Sequence, residues 1–245
     1  MLIGGRPMVV RVVERALAAR GVARALVATD DERILEAVRA HGHEAVMTRA
    51  DHASGSDRLA EAAAGLEADV VVNVQGDEPL IAPETIERAV AALAEDAAAA
   101  AATTCEPFER AADVLSPDVV KVVTDDGGRA LYFSRSPVPF PREAVRRHGS
   151  LAAALELEPG LLRTFRKHTG LYAYRRDFLL EYAGWPPAAL ECAESLEQLR
   201  ILARGRVLKV VEAAAPSVGV DTEEDLRRVR ALFEKGAGCQ APGAG

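Results

Sequence analysis

Asp69-Val70-Val71-Val72-Asn73-Val74-Gln75-Gly76-Asp77-Glu78-Pro79 changes character in mid-course, from a β-branched apolar run to a polar turn. Such a run suits a parallel strand covered on both faces. In open α/β sheets, ligands sit beyond the carboxyl ends of the strands, so Gln75, Gly76 and Asp77 stand first among candidates for chemistry. The plainer reading is a Gly-Asp turn leading into the next helix.

The same alternation spreads outward from this stretch. Upstream, Val9, Val12, Val13 and Leu17 recur at helical spacing between Pro7 and about Ala19. ARALVATDD reads as a strand, DERILEAVRAHG as a helix closed by glycine, HEAVMTR as a strand and DRLAEAAAGL as a helix. Downstream, a helix covers about 83–95, and the alanine-rich stretch before Thr103 and Thr104 ends as a strand. VVKVVTD and RALYFSR flank Asp-Gly-Gly as a hairpin. Residues 137–158 form an excursion with one short helix. HTGLYAYR is a strand, RDFLLEYAG a short helix, ECAESLEQLRILARG one longer helix, RVLKVVEA a strand and TEEDLRRVRALFEKG the last helix. The expectation is an α/β fold, with a mixed, mostly parallel sheet flanked by helices and a hairpin and excursion in the second half. Residues 1–235 are expected to form one domain and 236–245 a flexible tail. Only Met1 to Arg6 precede the first helix, so the strand that normally introduces it is not seen.

The bulk numbers narrow the function. Of the 245 residues, 49% are hydrophobic and 27% charged, the balance of a folding chain. A formal charge of −7 argues against nucleic acid, which requires a positive face. No apolar run of about 18 residues suggests a membrane span. Three cysteines, at 105, 192 and 239, suit neither a disulfide framework nor zinc, and a reducing cytoplasm fits them. No G-x-x-x-x-G-K-[ST] string is present, so this is not a P-loop enzyme.

Further polar constellations lie along the chain. Arg49-Ala50-Asp51-His52-Ala53-Ser54-Gly55-Ser56-Asp57-Arg58 joins small residues to a helix start, where unpaired N–H groups can meet a ligand; the structural alternative is a helix cap formed by Ser56. In Val218-Gly219-Val220-Asp221-Thr222-Glu223-Glu224-Asp225-Leu226, Thr222 and Asp225 have capping-box spacing, and Asp221 suits a positive helix end. Lys167 to Tyr174 alternates so that His168 and Tyr172 share a face. Glu191 to Arg200, as an isolated helix, would be only a solvated face.

Together these strings resemble the 3-deoxy-manno-octulosonate cytidylyltransferases. VNVQGDEP is similar to the family's metal-and-nucleotide motif, RADHASGSDR to its RADHxSGT(D/E)R segment, HTGLYAY to H-x-G-x-Y-x-Y, ECAESLEQLR to LExxExLEQLR, and GVDTEEDL to its C-terminal motif. The resemblance runs from Ile3 to Leu226. It implies transfer of CMP from CTP to the anomeric hydroxyl of 3-deoxy-D-manno-octulosonate (Kdo), for lipopolysaccharide biosynthesis, by a homodimer using Mg²⁺. It carries Asp77 and Asp221 over as catalytic metal ligands, and Arg49, Ser54, Arg58 and Gln75 to the nucleotide. Gln75, Arg135, His168, Tyr172, Glu197 and Gln198 are carried over to the sugar. Family members open with a loop like P-A-R-x-x-S-x-R-L-P-G-K-P-L, which binds the triphosphate. No counterpart occurs here, and Arg6 matches a later lysine. The expectation is a misplaced start codon or a truncated gene product with impaired activity and an exposed apolar sheet edge. Two other readings stand beside this one: another sugar-acid cytidylyltransferase, such as a CMP-sialic acid synthetase, and an inactive nucleotide-binding protein.

Overall fold

The computed structural model describes residues 1–52, 54–216 and 218–237. In chain order its first elements are β1 (Leu2–Ile3), β2 (Arg6–Pro7), α1 (Met8–Leu17), β3 (Leu26–Thr29), α2 (Glu32–Ala40), β4 (Glu44–Met47), α3 (Gly55–Ala64), β5 (Val70–Asn73) and α4 (Pro83–Glu95). Next come β6 (Ala99–Pro107), α5 (Ala111–Leu115), β7 (Lys121–Thr124), β8 (Ala130–Ser134), α6 (Arg142–His148), α7 (Leu151–Leu157) and a 3₁₀ turn (Pro159–Thr164). The chain continues through β9 (Arg166–Arg175), α8 (Arg176–Ala183), α9 (Ala189–Glu194), α10 (Leu199–Ala203), β10 (Val207–Glu212) and α11 (Glu223–Ala237). This is the α/β class implied by the alternation. The last helix reaches Ala237, and the rest of the expected tail lies outside the described residues.

The chain gathers into two compact units. The first takes Met1–Ala68, Asn73–Glu87 and the residues from Ala214 on. Its parallel pair β3–β4 runs in register from Leu26↔Glu44 to Thr29↔Met47. The pair is covered by apolar side chains of α1 and α2, where Val10, Leu35, Val38 and Ala45 pack with Val9 and Val27. A hairpin that the sequence reading did not anticipate, β1–β2, precedes α1. Its turn is Gly4-Gly5, both at positive φ; a Cβ on Gly4 would meet Phe233 at 2.5 Å, so glycine is needed there for conformation and for space. Ile3 from this hairpin joins Val220, Leu226 and Val229 in a second buried cluster.

The second unit takes Asp69–Val72 and Arg88–Ala213. Its sheet is mixed, in the order β10-β6-β9-β7-β8, with β5 also beside β9. β10 lies parallel to β6, whereas β9 is antiparallel to β6 and β7, and β7–β8 is the expected hairpin. The alanine-rich stretch is β-strand from Ala99 onward, because its small side chains are almost all buried beneath neighbours. The excursion forms two helices, α6 and α7, and α7 sends Leu155 into a cluster with Phe108, Val114 and Phe165.

Two local expectations are corrected. Helix α3 begins at Gly55, and its cap is Ser54, whose Oγ accepts from Asp57 N at 3.2 Å; Ser56 is buried in the first turn. The single long helix over ECAESLEQLRILARG is two short ones. Ser195 adopts left-handed backbone angles, φ 52° and ψ 51°, which stop α9, and α10 starts only at Leu199. Arg200 bridges that break by an ion pair with Glu191, Nε donating to Oε2 at 2.7 Å, and both side chains are buried.

Candidate functional site

β5 leads into the loop Gln75-Gly76-Asp77, which belongs to the first unit. Glu78 N donates to Gln75 O at 3.2 Å, so the loop turns tightly and leaves Gln75 exposed and Asp77 half-buried. Val220 N donates to Asp77 O at 3.0 Å. Val220 is itself buried in the hydrophobic cluster, so this bond anchors the loop beside the residue that follows it, Asp221. Desolvation raises the Asp77 pKa above the usual carboxylate value, and the charge of Asp221 raises it further. Asp225 N donates to Thr222 Oγ1 at 3.2 Å and Thr222 N to Asp225 Oδ2 at 3.0 Å, which is a capping box. Asp225 is thus occupied by its helix while Asp221 stays exposed just ahead of it.

Two carboxylates held together repel unless a cation lies between them. Among the described residues, no group of three or more His, Cys, Asp or Glu is arranged to hold a metal ion. The Asp77–Asp221 pair therefore does not complete an all-protein cage. It suits a hard cation that keeps water and phosphate oxygens among its ligands.

The Arg49–Arg58 loop lies at the carboxyl ends of β3 and β4. Arg58 donates from Nη1 to Thr48 Oγ1 at 2.6 Å and from Nη2 to Asp30 Oδ2 at 3.0 Å, tying the start of α3 to both strand ends. Arg49 is exposed and forms a two-point pair with Asp51, at 2.9 and 2.7 Å. His52 Nε2 and Arg49 N both reach Glu61 Oε2 on α3. The sequence reading missed Glu61, Asp30 and Thr48; the acidic turn after β3 was the one visible signal, and its other member, Asp31, caps α2.

In the second unit, the β6–β9 register slips between Thr103↔Tyr172 and Thr104↔Thr169, which bulges Gly170 and Leu171 out of the ladder. Four residues of regular strand span about 13 Å, yet the His168 and Tyr172 rings lie 5.5 Å apart because the bulge shortens the path. Phe133 meets His168 edge-on at 5.0 Å. Though partly accessible, the imidazole is desolvated enough that its pKa falls to about 3, so it is neutral at physiological pH. Burial pushes the Tyr172 hydroxyl well above its ordinary value, with Tyr174, Tyr182 and Glu197 adding to the effect, and it remains protonated.

Glu197 and Gln198 occupy the break between α9 and α10. Tyr182 donates its hydroxyl to Glu197 O at 3.0 Å. Gln198 is buried, and its Nε2 has no hydrogen-bond partner among the described residues. An unmet buried donor costs about 1–3 kcal/mol, which a ligand acceptor would recover. Arg135 directs N–H groups at Glu194 O (2.7 Å), Pro117 O (3.0 Å) and Ser195 O (3.4 Å). One N–H remains on each terminal nitrogen of its fork. Lys121, also missed from sequence, is fully buried and donates to Arg135 O at 2.8 Å and Ser116 O at 2.6 Å; burial lowers its pKa. Cys105 is no nucleophile here, since burial pushes its thiol up to about 11.

A family model described as cytidylyltransferase matches residues 1–211. The 3-deoxy-manno-octulosonate cytidylyltransferase of Geobacter sulfurreducens is 52% identical over 229 residues, which are 93% of this chain and 89% of that protein. A solved CMP:2-keto-3-deoxy-manno-octonic acid synthetase complexed with CTP superposes with a TM-score of 0.85 at 44% identity, covering 96% of this chain and 91% of that one. The 4-diphosphocytidyl-2C-methyl-D-erythritol synthase of Anaerococcus prevotii has a TM-score of 0.58 at 14% identity, covering 95% and 88% of the two chains, and shares the fold.

Proposed function

The chain belongs to the 3-deoxy-manno-octulosonate cytidylyltransferases, and from that membership we propose how its residues perform the reaction: the anomeric hydroxyl of Kdo attacks the α-phosphorus of CTP, giving CMP-Kdo and pyrophosphate. The observation that supports this most directly is the joining of Asp77 to the segment of Asp221 through Val220, two carboxylates whose mutual repulsion asks for a cation. They would hold Mg²⁺, which when bound neutralises phosphate charge and favours the ionised nucleophile.

The protein's own groups supply position. Gln75 lies exposed at the end of β5, where it can donate to either substrate. Arg49, Ser54 and Arg58 belong to the nucleotide: Arg58 is braced by Thr48 and Asp30, and the cap formed by Ser54 fixes the loop against the α3 N-terminus. His168, Tyr172, Glu197 and Gln198 bind the sugar, with the unmet Gln198 amide seeking an oxygen acceptor. Arg135 holds the Ser195 turn that presents Glu197 and Gln198, and turns its remaining N–H groups to the sugar carboxylate.

Pyrophosphate release with CTP and Mg²⁺ tests the reading. Release is expected with Kdo and not with sialic acid. Release with sialic acid, or with neither sugar, would refute it.

The protein is also proposed to be a cytoplasmic homodimer. Cys105 and Cys192 are free thiols, and Leu131, Phe140 and Leu157 in the second unit are more than 60% exposed, apolar surface for a second copy. No helix among the described residues is long and apolar enough to cross a membrane. Sedimentation equilibrium should give twice the chain mass; a monomer at micromolar concentration would exclude the dimer.

A further inference from the structure

Thr103 lies on β6 with no exposed surface, opposite the bulge in β9. Its hydroxyl has three neighbours: His168 Nε2 at 3.0 Å, Leu171 O at 2.8 Å and Thr169 O at 3.3 Å. A hydroxyl has one hydrogen to give and two lone pairs to accept with. The bulge takes Leu171 out of the β6 ladder, and its buried carbonyl, which can only accept, faces the Thr103 hydroxyl instead. The Thr103 hydrogen belongs there, at the shorter of the two carbonyl contacts. The Thr103 oxygen then has only lone pairs to offer His168, whose Nε2 must donate.

We propose that Thr103 is a positioning residue that fixes His168 as the Nε2–H tautomer, which makes Nδ1 a hydrogen-bond acceptor for a hydroxyl of the sugar. The burial that keeps His168 neutral is consistent with this, because an imidazolium would donate from both nitrogens and accept from none. The bulge acquires a purpose: it turns toward Thr103 the Leu171 carbonyl that orients the hydroxyl facing His168. The identity of the ligand rests on the Kdo reading above, whereas the tautomer rests on the protein alone.

Two-bond ¹H–¹⁵N correlation spectra of the full chain, labelled with ¹⁵N-histidine, read the tautomer directly. The His168 signals are assigned by their loss in His168→Gln. The expected result is a protonated Nε2 and a pyridine-like Nδ1, unchanged from pH 5 to 8 and preserved in Thr103→Ser. In Thr103→Val, which keeps the shape and removes the hydroxyl, the fixed tautomer should be lost. A protonated Nδ1 in the unaltered protein overturns the proposal even if Thr103→Val fails to fold, and so does a Thr103→Val spectrum identical to the original. Adding Kdo should move Nδ1 away from its pyridine-like position, and Thr103→Val should bind Kdo about tenfold more weakly, the equivalent of about 1.4 kcal/mol. If the tautomer is as assigned but Kdo leaves Nδ1 unmoved, the sugar role of His168 fails and the assignment of Thr103 stands.

Discussion

Asp77 is held at a cost. Its folded-state pKa lies above 3.8, so the stability linked to this group is complete below that value and is lost as pH rises through the raised pKa. At pH 7 the ionised side chain is therefore a burden that a bound cation would lift. Without divalent metal, Asp77→Asn should melt higher than the unaltered protein at pH 7. With Mg²⁺ and CTP the order should reverse, because the variant lacks a ligand, and its apparent Mg²⁺ affinity should fall at least about tenfold. In the unaltered protein, Mg²⁺ stabilisation should fade as pH drops through the acid range in which Asp77 protonates. Thermal melts across pH and Mg²⁺ concentration check all three. Equal melting of both proteins without metal would remove the electrostatic argument. At this scale the sequence singles out a residue where a motif names it, as at Asp77 and Asp221. It was silent about Glu61, Lys121 and Thr103, because their importance comes from which carbonyl or ring the fold brings to them.

The break between α9 and α10 shows what patterning misses among elements. ECAESLEQLRILARG has helical composition, and nothing in its periodicity marks Ser195 as the stop. The interruption is imposed by tertiary contacts: Arg135 takes the Glu194 and Ser195 carbonyls, and Glu194 accepts from Ser134 Oγ at 2.7 Å and Arg135 N at 2.9 Å. Arg200 and Glu191 then close the gap, and the guanidinium also lies 5.1 Å over the Tyr182 ring. Arg200→Met strands a buried carboxylate and should cost about 3–5 kcal/mol of stability, with the double change Arg200→Met/Glu191→Met recovering part of it. Urea unfolding of the three proteins measures this, and a loss below about 1 kcal/mol for the single change would mean the pair is solvated. By contrast, β3, α2, β4 and α4 were readable from their apolar spacing, to which α2 adds the Asp31 cap and the closing Gly42. The β1–β2 hairpin was hidden because two-residue strands have no periodicity, although Gly4-Gly5 was its visible cue.

For the whole molecule, the α/β class followed from strand and helix alternation, while the antiparallel ladders around β9 depend on pairings between distant segments that no local pattern fixes. The residues proposed for metal and nucleotide, the carboxylate pair and the Arg49–Arg58 loop, belong to the first unit, and those proposed for the sugar, His168, Tyr172, Glu197 and Gln198, to the second. The most direct test follows the oxygen. Kdo labelled with ¹⁸O at its anomeric hydroxyl is incubated with CTP, Mg²⁺ and the protein, and the products are read by ³¹P NMR. Attack at the α-phosphorus predicts an isotope-shifted CMP-Kdo phosphorus, with ¹⁸O in the bridge, and unlabelled pyrophosphate. An unshifted diester, label in the pyrophosphate or no diester at all would contradict the account.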